Sequence, residues 1–344
     1  MTNLAITKKM VLMVLYCFAV TTFVMAQPAK PELKFRNDGH FEIMQLTDIH
    51  YHYTNPEYAQ SSLEFIREAA DIVKPDLIMV TGDVVVSTDT RKAWQDIAGV
   101  LNETKIPWAV VLGNHDSEYE LNNRQIIEIL SDYSYNLTEN GPEEISGNGN
   151  YVLTVAASAS VGKTAAVLYC FDTRKQHNWI TYTQMDWYRQ QSLHFTEQNN
   201  GNPLPAIAFY HVPVPEYNEI IGKPTTVGLQ KERVCCPELN SGSFTAMHEC
   251  KDVMGIFVGH DHNNNYIGCL HNICLAYGYK SGRQSYGDIG RGVRIIELCE
   301  NERKFNTWLL QLYECENKGE IWTKIKDIKP KYIVSYPDSF QEKP

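Results

Sequence analysis

The sequence predicts an α/β fold organised around parallel strands. Three features predict it. Short apolar runs alternate with amphipathic helical patterns through the first half, the second half is richer in strand-like runs, and no linker or internal repeat divides the chain. The element order begins at Phe41–Leu46, which alternates apolar and polar residues as a half-buried strand does. Pro56 to Val73 follows, with Leu63, Phe65, Ile66, Ala69, Ala70 and Val73 near helical spacing. It stops before Lys74-Pro75, since proline removes a backbone donor and cannot continue a helix. Leu77–Val80 reads as a buried strand, Arg91 to Leu101 as a second helix, Trp108–Leu112 as a third strand and Leu121 to Leu130 as a third helix. A β-α-β-α-β-α order of this kind implies parallel strands joined by right-handed crossovers.

In the second half, extended runs are expected at Tyr151–Val155, Ala165–Phe171, Ala206–Tyr210, Val253–Val258, Asn272–Tyr277, Gly292–Leu298 and Asn306–Leu312. Helical patterns fall at Thr183–His194 and Ser243–Glu249, and long loops at Ser131–Asn150 and Val212–Asn240. Loops of that length inside a domain are usually functional or mobile. Trp179, Tyr182 and Trp187 are read as core or helix-packing aromatics.

At roughly 100–200 residues per domain, 344 residues allow one large or two ordinary domains. Hydrophobic residues at 43% and charged residues at 21% give an ordinary globular balance, which excludes a disordered or low-complexity chain. The formal net charge of −10 excludes a basic footprint for nucleic-acid backbone.

The first residues read as a targeting segment. Lys8 and Lys9 precede an apolar run from Met10 to Val20, and Val24-Met25-Ala26 offers a cleavage site before Gln27. An uncleaved anchor is the alternative, but Met10–Ala26 covers 17 residues, includes Thr21 and Thr22, and sits at the short limit for spanning. A lipoprotein reading at Cys17 is disfavoured by the bulky Tyr16. The expected division is therefore a signal peptide at 1–26, one domain at 27–316 and a C-terminal extension at 317–344. The mature chain is expected to be periplasmic or secreted and to have no membrane span.

Removing the segment leaves 29 basic and 41 acidic residues and eight of the nine cysteines. Export permits disulfides, and eight cysteines allow 105 pairings. Cys269 and Cys274 flank an expected tight turn, Cys299 and Cys315 end two runs that could pair, and Cys250 could reach Cys235 or Cys236. Cys170 lies in an apolar run and reads as a buried thiol, and a full set of free thiols remains the alternative. Asn102 and Asn136 head Asn-x-Thr sequons, which matter only in a host that glycosylates.

The chemistry gathers at strand ends. Leu46-Thr47-Asp48-Ile49-His50, Thr81-Gly82-Asp83, Gly113-Asn114-His115-Asp116, Tyr210-His211-Val212-Pro213 and Gly259-His260-Asp261-His262 each follow an apolar strand. Ligands of open α/β sheets bind beyond the carboxyl ends of the strands. A single Asp there is usually a turn or helix cap, and a single His usually a hydrogen-bonded structural residue. Two Asp, one Asn and four His at these ends would place seven potential ligands in one cleft, where unpaired charge is costly and divalent cations would compensate it.

The order Asp-x-His, Gly-Asp, Gly-Asn-His-Asp, His, Gly-His-x-His resembles the calcineurin-like metallophosphoesterase superfamily. Asn240–Thr245, Gly259–Asn264 and the Gly/Arg-rich Tyr277–Arg294 make it most similar to the small single-domain purple acid phosphatase-like group of plants and fungi and its bacterial relatives. The resemblance implies a four-layer α/β/β/α sandwich and a dinuclear metal centre. It implies that Asp48, His50 and His262 hold one metal, that Asn114, His211 and His260 hold the other, and that Asp83 bridges them. His115 would donate a proton to the leaving alkoxide or steady the phosphoryl oxygens, and Asp116 would orient that imidazole or cap a helix. Arg283 or Arg291 could fork onto phosphate, with a solvated arginine as the alternative. His52 could touch substrate, with an exposed loop histidine as the alternative.

One departure stands out. The purple enzymes follow their Gly-Asp strand end with a tyrosine ligand to ferric iron, whereas here Val84-Val85-Val86 follows. A required ferric ion is therefore not implied, and Mn, Fe, Zn or Co all suit the N/O donor set. The expected activity is hydrolysis of a small phosphate ester, preferably a monoester. A phosphodiesterase acting on nucleotides or phospholipid headgroups is the first alternative and a non-catalytic binding protein that keeps the fold is the second.

Overall fold

The computed structural model describes residues 30–160, 162–173, 179–312, 315–317, 320–322 and 329–340. The expected signal peptide, with Cys17, lies outside the described residues. Along the chain the strands are β1 (Leu33–Lys34), β2 (His40–Leu46), β3 (Leu77–Thr81), β4 (Trp108–Val111), β5 (Tyr151–Ala156), β6 (Thr164–Cys170), β7 (Ala206–Phe209), β8 (Val253–Val258), β9 (Ile267–Leu270), β10 (Ile273–Tyr277), β11 (Arg291–Cys299), β12 (Phe305–Leu312), β13 (Cys315–Asn317), β14 (Glu320–Trp322) and β15 (Lys329–Tyr336). The helices are α1 (Pro56–Val73), α2 (Thr90–Glu103), α3 (Asn123–Ser131), α4 (Tyr182–Gln198) and α5 (Ser243–Cys250).

Two large sheets form, in the orders β15-β12-β11-β2-β3-β4 and β1-β5-β6-β7-β8-β10-β9, with a small β13-β14 ribbon beside them. β2, β3 and β4 are mutually parallel, as are β6, β7, β8 and β10, so each sheet collects carboxyl-terminal strand ends along one edge. Three apolar seams define the layers. Phe65, Ile66, Trp94, Ile97, Ile126 and Leu130 of α1–α3 pack on Met44, Ile78 and Val110 of the first sheet. Ile43, Met79 and Val111 on its other face meet Leu168, Ile207 and Phe257 of the second sheet. Trp187, Tyr188 and Met247 of α4 and α5 cover the far face of that sheet. This is the expected α/β/β/α sandwich, and alternation along each strand is what sends successive side chains into different seams.

Local signals account for the elements. α1 starts with Pro56 at its first turn and ends at Lys74, whose left-handed conformation returns its N–H to Ala70 O. α3 carries a capping box between Asn122 and Gln125. α4 is longer than Thr183–His194: Thr181 and Gln184 cap it one residue earlier, and it runs a further turn to Gln198.

Several expectations change. The region assigned to an extension after residue 316 supplies β15, which pairs antiparallel with β12. Val334 and Tyr336 join the inter-sheet seam, and Tyr336 stacks on Phe305 at 5.3 Å. The folded unit therefore runs past residue 316. Its Lys and Pro residues hid the strand, yet these are the residues an edge strand tolerates. Tyr182 is 80% exposed rather than packed, whereas Trp187 does lie against Phe171. Cys269 and Cys274 form a disulfide between register partners of β9 and β10. Cys299, Cys250, Cys235 and Cys236 carry free thiols, so the Cys299–Cys315 and Cys250 pairings are not formed, and Cys170 is a buried thiol as expected. Asn136 is fully buried, and its Oδ1 accepts from Thr138 N, which removes that sequon from the surface. Among the described residues no helix is long and apolar enough to cross a membrane.

Candidate metal centre

The five strand-end fragments converge because their backbones are tied together. Asp48 N donates to Gly82 O, His50 N to Asp83 O and Gly259 N to His211 O, each at 3.0 Å. Asp48, His50, Asp83 and His260 all have positive φ, between 49° and 78°, a region costly for residues with a Cβ. Such strain persists only where the surroundings hold it, and it concentrates at functional sites. The glycines preceding the polar residues allow the close approach. A Cβ on Gly113 would lie 2.3 Å from Asp83 Oδ1, and one on Gly259 would lie 2.0 Å from Thr47 Oγ1 and 2.7 Å from Asp48 Oδ2.

Asp83 occupies the middle. Its Oδ2 lies 3.1 Å from His211 Nε2, 3.7 Å from His50 Nε2 and 3.9 Å from His115 Nε2, while its Oδ1 accepts from His115 N at 2.9 Å. Asp48 Oδ1 lies 3.2 Å from His262 Nε2. The Asp48 carboxylate accepts from His260 N on both oxygens and from the Thr47 hydroxyl at 2.8 Å. Two sets of potential ligand atoms result, Asp48, His50, Asp83 and His262 in one and Asp83, His211 and His260 in the other, each set within 4.8 Å internally. Asp83 belongs to both.

The donor atoms fit cations. His211 Nδ1 donates to Thr81 O at 2.8 Å, which fixes its tautomer and aims the Nε2 lone pair at the Asp83 carboxylate. Two lone-pair atoms facing each other in a dry site require a positive charge between them. His50 Nε2, His211 Nε2, His262 Nδ1 and Asn114 Oδ1 are buried with no hydrogen-bond partner among the described residues. Buried polar atoms are normally satisfied, so this concentration of exceptions marks a place for ions.

The electrostatics show how strongly the groups feel one another. Burial pushes the Asp83 carboxyl up, but the His211 and His50 imidazoles outweigh it and hold it well below the usual carboxylate range. For Asp48, His262 outweighs burial in the same way. Burial pulls His211 down, yet Asp83 and Asp48 lift it to about 10, so without a cation a proton neutralises the pair. Burial and the neighbouring His211 take His260 down to about 4, leaving it a neutral donor.

The residues around this centre differ in part from expectation. His115 Nδ1 is paired with Glu118 Oε2 at 2.9 Å, so Glu118, not Asp116, orients the imidazole. Asp116 instead accepts from Val84 N and Val85 N on Oδ1 and from Gly113 N on Oδ2, tying the Asp83 and Asn114 loops together. Burial and the Asp83 charge lift its carboxyl to about 7. Asp116 therefore anchors backbone rather than capping a helix or partnering the imidazole. Arg291 is turned away from the centre. Its Nε donates to Ser281 O and its Nη1 to Ser61 Oγ, and it lies over the Phe65 ring. Arg283 is half-buried over the Tyr58 ring at 5.3 Å. His52 pairs with Thr54 in an exposed turn.

Sequence reasoning missed a wall of the site. Tyr286 stacks on the His262 ring at 4.0 Å, and its hydroxyl donates to Glu232 Oε2. Lys280 Nζ donates to the carbonyls of Ser285, Tyr286 and Gly287 and so fixes that loop. The long loop after β7 contributes as well, with Glu232 Oε1 accepting from Asn263 N and the Asp261 carboxylate from Cys235 N. Only Glu118 had a sequence signal, its placement three residues after His115 in a turn.

Comparison with known proteins agrees with this geometry. The family model described as calcineurin-like phosphoesterase matches residues 41–264. The chain is 28% identical to the probable inactive purple acid phosphatase 29 of Arabidopsis thaliana, over 83% of either protein. It is 30% identical to the phosphatase DCR2 of Saccharomyces cerevisiae, over 80% of this chain and 54% of that one. In fold it is similar to a dimetal phosphatase from Danio rerio, with a TM-score of 0.51 and 10% identity, over 78% of this chain and 95% of that one.

Proposed function

The chain belongs to the calcineurin-like phosphoesterase family, and on that premise we propose that it is an exported, dinuclear-metal phosphomonoesterase. The carrying observation is Asp83, whose carboxylate is shared between two clusters of potential ligand atoms, in which His50 Nε2 and His211 Nε2 are buried without a hydrogen-bond partner among the described residues. In this reading Asp48, His50 and His262 would hold one cation, Asn114, His211 and His260 would hold the other, and Asp83 would be shared between them. Mn, Fe, Zn and Co all suit these donors. Bound there, the pair supplies Lewis acidity and a water of lowered pKa. Everything else falls to the protein. His260 N–H and Thr47 orient Asp48, His115 N–H orients Asp83, and Asp116 holds the two loops in register. Glu118 fixes His115 through Nδ1, which leaves Nε2 on the Asp83 side to hold a proton for the departing alkoxide. Arg283, half-buried beside the site loop, is the candidate phosphate contact.

Export rests on the basic and apolar N-terminal pattern, and the Cys269–Cys274 disulfide suits an oxidising compartment. A second reading, a binding protein without turnover, is favoured by the word "inactive" in the name of the Arabidopsis relative. Against it stands the complete set of Asp48, His50, Asp83, Asn114, His115, His211, His260 and His262 in this chain. The test is hydrolysis of a nitrophenyl monoester and of the bis-nitrophenyl diester after chelation and metal add-back. Monoester turnover restored by Mn, Zn, Fe or Co, and reduced more than about 100-fold in Asp83→Asn, is expected. Faster diester turnover would move the substrate class. No turnover of either ester with any of these metals would favour the binding reading.

A further inference from the structure

A second donor cluster lies at the other end of the strand pair that carries Asp48. His40 opens β2 and Cys299 closes β11, and the two are direct partners in the antiparallel register. Glu297, two residues before Cys299, therefore shares its face of the sheet. Ligand atoms of His40, Glu297 and Cys299 all lie within 4.8 Å of one another. His40 Nδ1 stands 3.5 Å from Glu297 Oε1 and is buried without a hydrogen-bond partner among the described residues. Two ligands at ordinary bond lengths on a tetrahedral ion are about 3.4 Å apart, so this spacing is already that of a chelate.

The donors are also held. Glu297 Oε1 accepts from Asn306 Nδ2 at 2.7 Å, and Asn306 Oδ1 accepts from Ser335 Oγ at 2.6 Å. Cys299 N donates to Lys304 O, and Glu300 N donates to Gly39 O beside His40. Ligands mounted on two hydrogen-bonded strands with supported side chains lose little freedom on binding. Cys299 is a buried free thiol, while His40 and Glu297 keep 40% and 21% of their side-chain surface in solvent, which leaves an entry path.

We propose that His40, Glu297 and Cys299 form a third metal site, for a single zinc ion, separate from the dinuclear centre. The donor chemistry selects the ion. Thiolate and imidazole disfavour Mg and Ca and suit Zn in four-coordination. Binding releases the Cys299 thiol proton to solvent, and thiolate plus carboxylate balance the two positive charges. Water takes the fourth position. The ion would clip the start of β2 to the end of β11.

The dinuclear donor set contains no cysteine, so a thiolate–cobalt absorption band that depends on Cys299 reports the proposed site. Chelated full-length protein titrated with Co2+ should develop this near-ultraviolet band within the three equivalents that the dinuclear centre and the proposed site together take up, and Zn2+ should displace it. Cys299→Ser should abolish the band. Asp83→Asn should leave it. His40→Gln, at a half-exposed position that does not threaten folding, should weaken cobalt binding at least about tenfold. In wild type, zinc should slow alkylation of Cys299 by at least tenfold, and it should not do so in His40→Gln. Absence of the band in wild type, its survival in Cys299→Ser, or unprotected Cys299 in the presence of zinc would each overturn the proposal. Asp83→Asn separates this outcome from failure of the phosphoesterase reading, which concerns activity.

Discussion

His115 shows how much a single side chain depends on its neighbours. Burial pulls its imidazole down, but Asp83 and Glu118 outweigh burial and raise it, so the ring favours holding a proton. His115→Ala should reduce kcat for an alkyl monoester by about 10²–10⁴-fold and for a nitrophenyl ester far less, because a good leaving group needs no proton. Glu118→Gln should give a smaller loss, about tenfold, with the same bias toward poor leaving groups. Equal losses on both substrates would remove the proton-donor role. At this scale the proposed ligands were legible, since glycine-flanked Asp, Asn and His at strand ends are unusual together. The division of roles between Asp116 and Glu118 was not, because composition at a turn does not say which carboxylate faces the ring and which the backbone.

At the scale of elements, the pairing of β2 with β11 places Glu42 directly opposite Glu297. Like charges opposite each other destabilise a sheet. Burial, resisted by Arg36 and helped by Glu297 and Asp76, lifts the Glu42 carboxyl to about 7. A raised carboxyl stabilises the fold below its unfolded pKa of about 4.3, and that contribution is lost as pH rises through 7. Glu42→Gln should therefore stabilise the protein at pH 8, by about 1 kcal/mol after allowance for its partial exposure, and change little at pH 4. Denaturant midpoints with chelator present test this. The helices and central strands were legible from periodicity. The two-residue β1 was not, because a strand that short carries no period, and β15 was not, because Lys and Pro dilute its alternation.

Across the whole molecule, the two sheets are joined by one buried cation as well as by the apolar seam. Arg294 on β11 donates to Tyr277 O, Asn265 O and Thr307 Oγ1 and has no exposed surface. Arg294→Met should leave two carbonyls unpaired and cost about 3 kcal/mol of stability, read as a lower denaturant midpoint. Ending the chain after residue 316 should unpair the outer edge of β12, withdraw Val334 and Tyr336 from the core, and give a protein that melts lower and self-associates. A monomer with unchanged melting would show that β15 contributes nothing.

The sequence by itself determined the alternation of strands and helices and the chemical kind of each strand end, because both are written in local spacing and residue type. The tertiary structure decided what those ends do together. It brought Asp83 between His50 and His211, gave Glu118 rather than Asp116 to His115, turned Arg291 toward Phe65, and drew the C-terminal strand into the sheet. These outcomes depend on side-chain direction and on contacts between residues far apart in the chain, which no local pattern encodes.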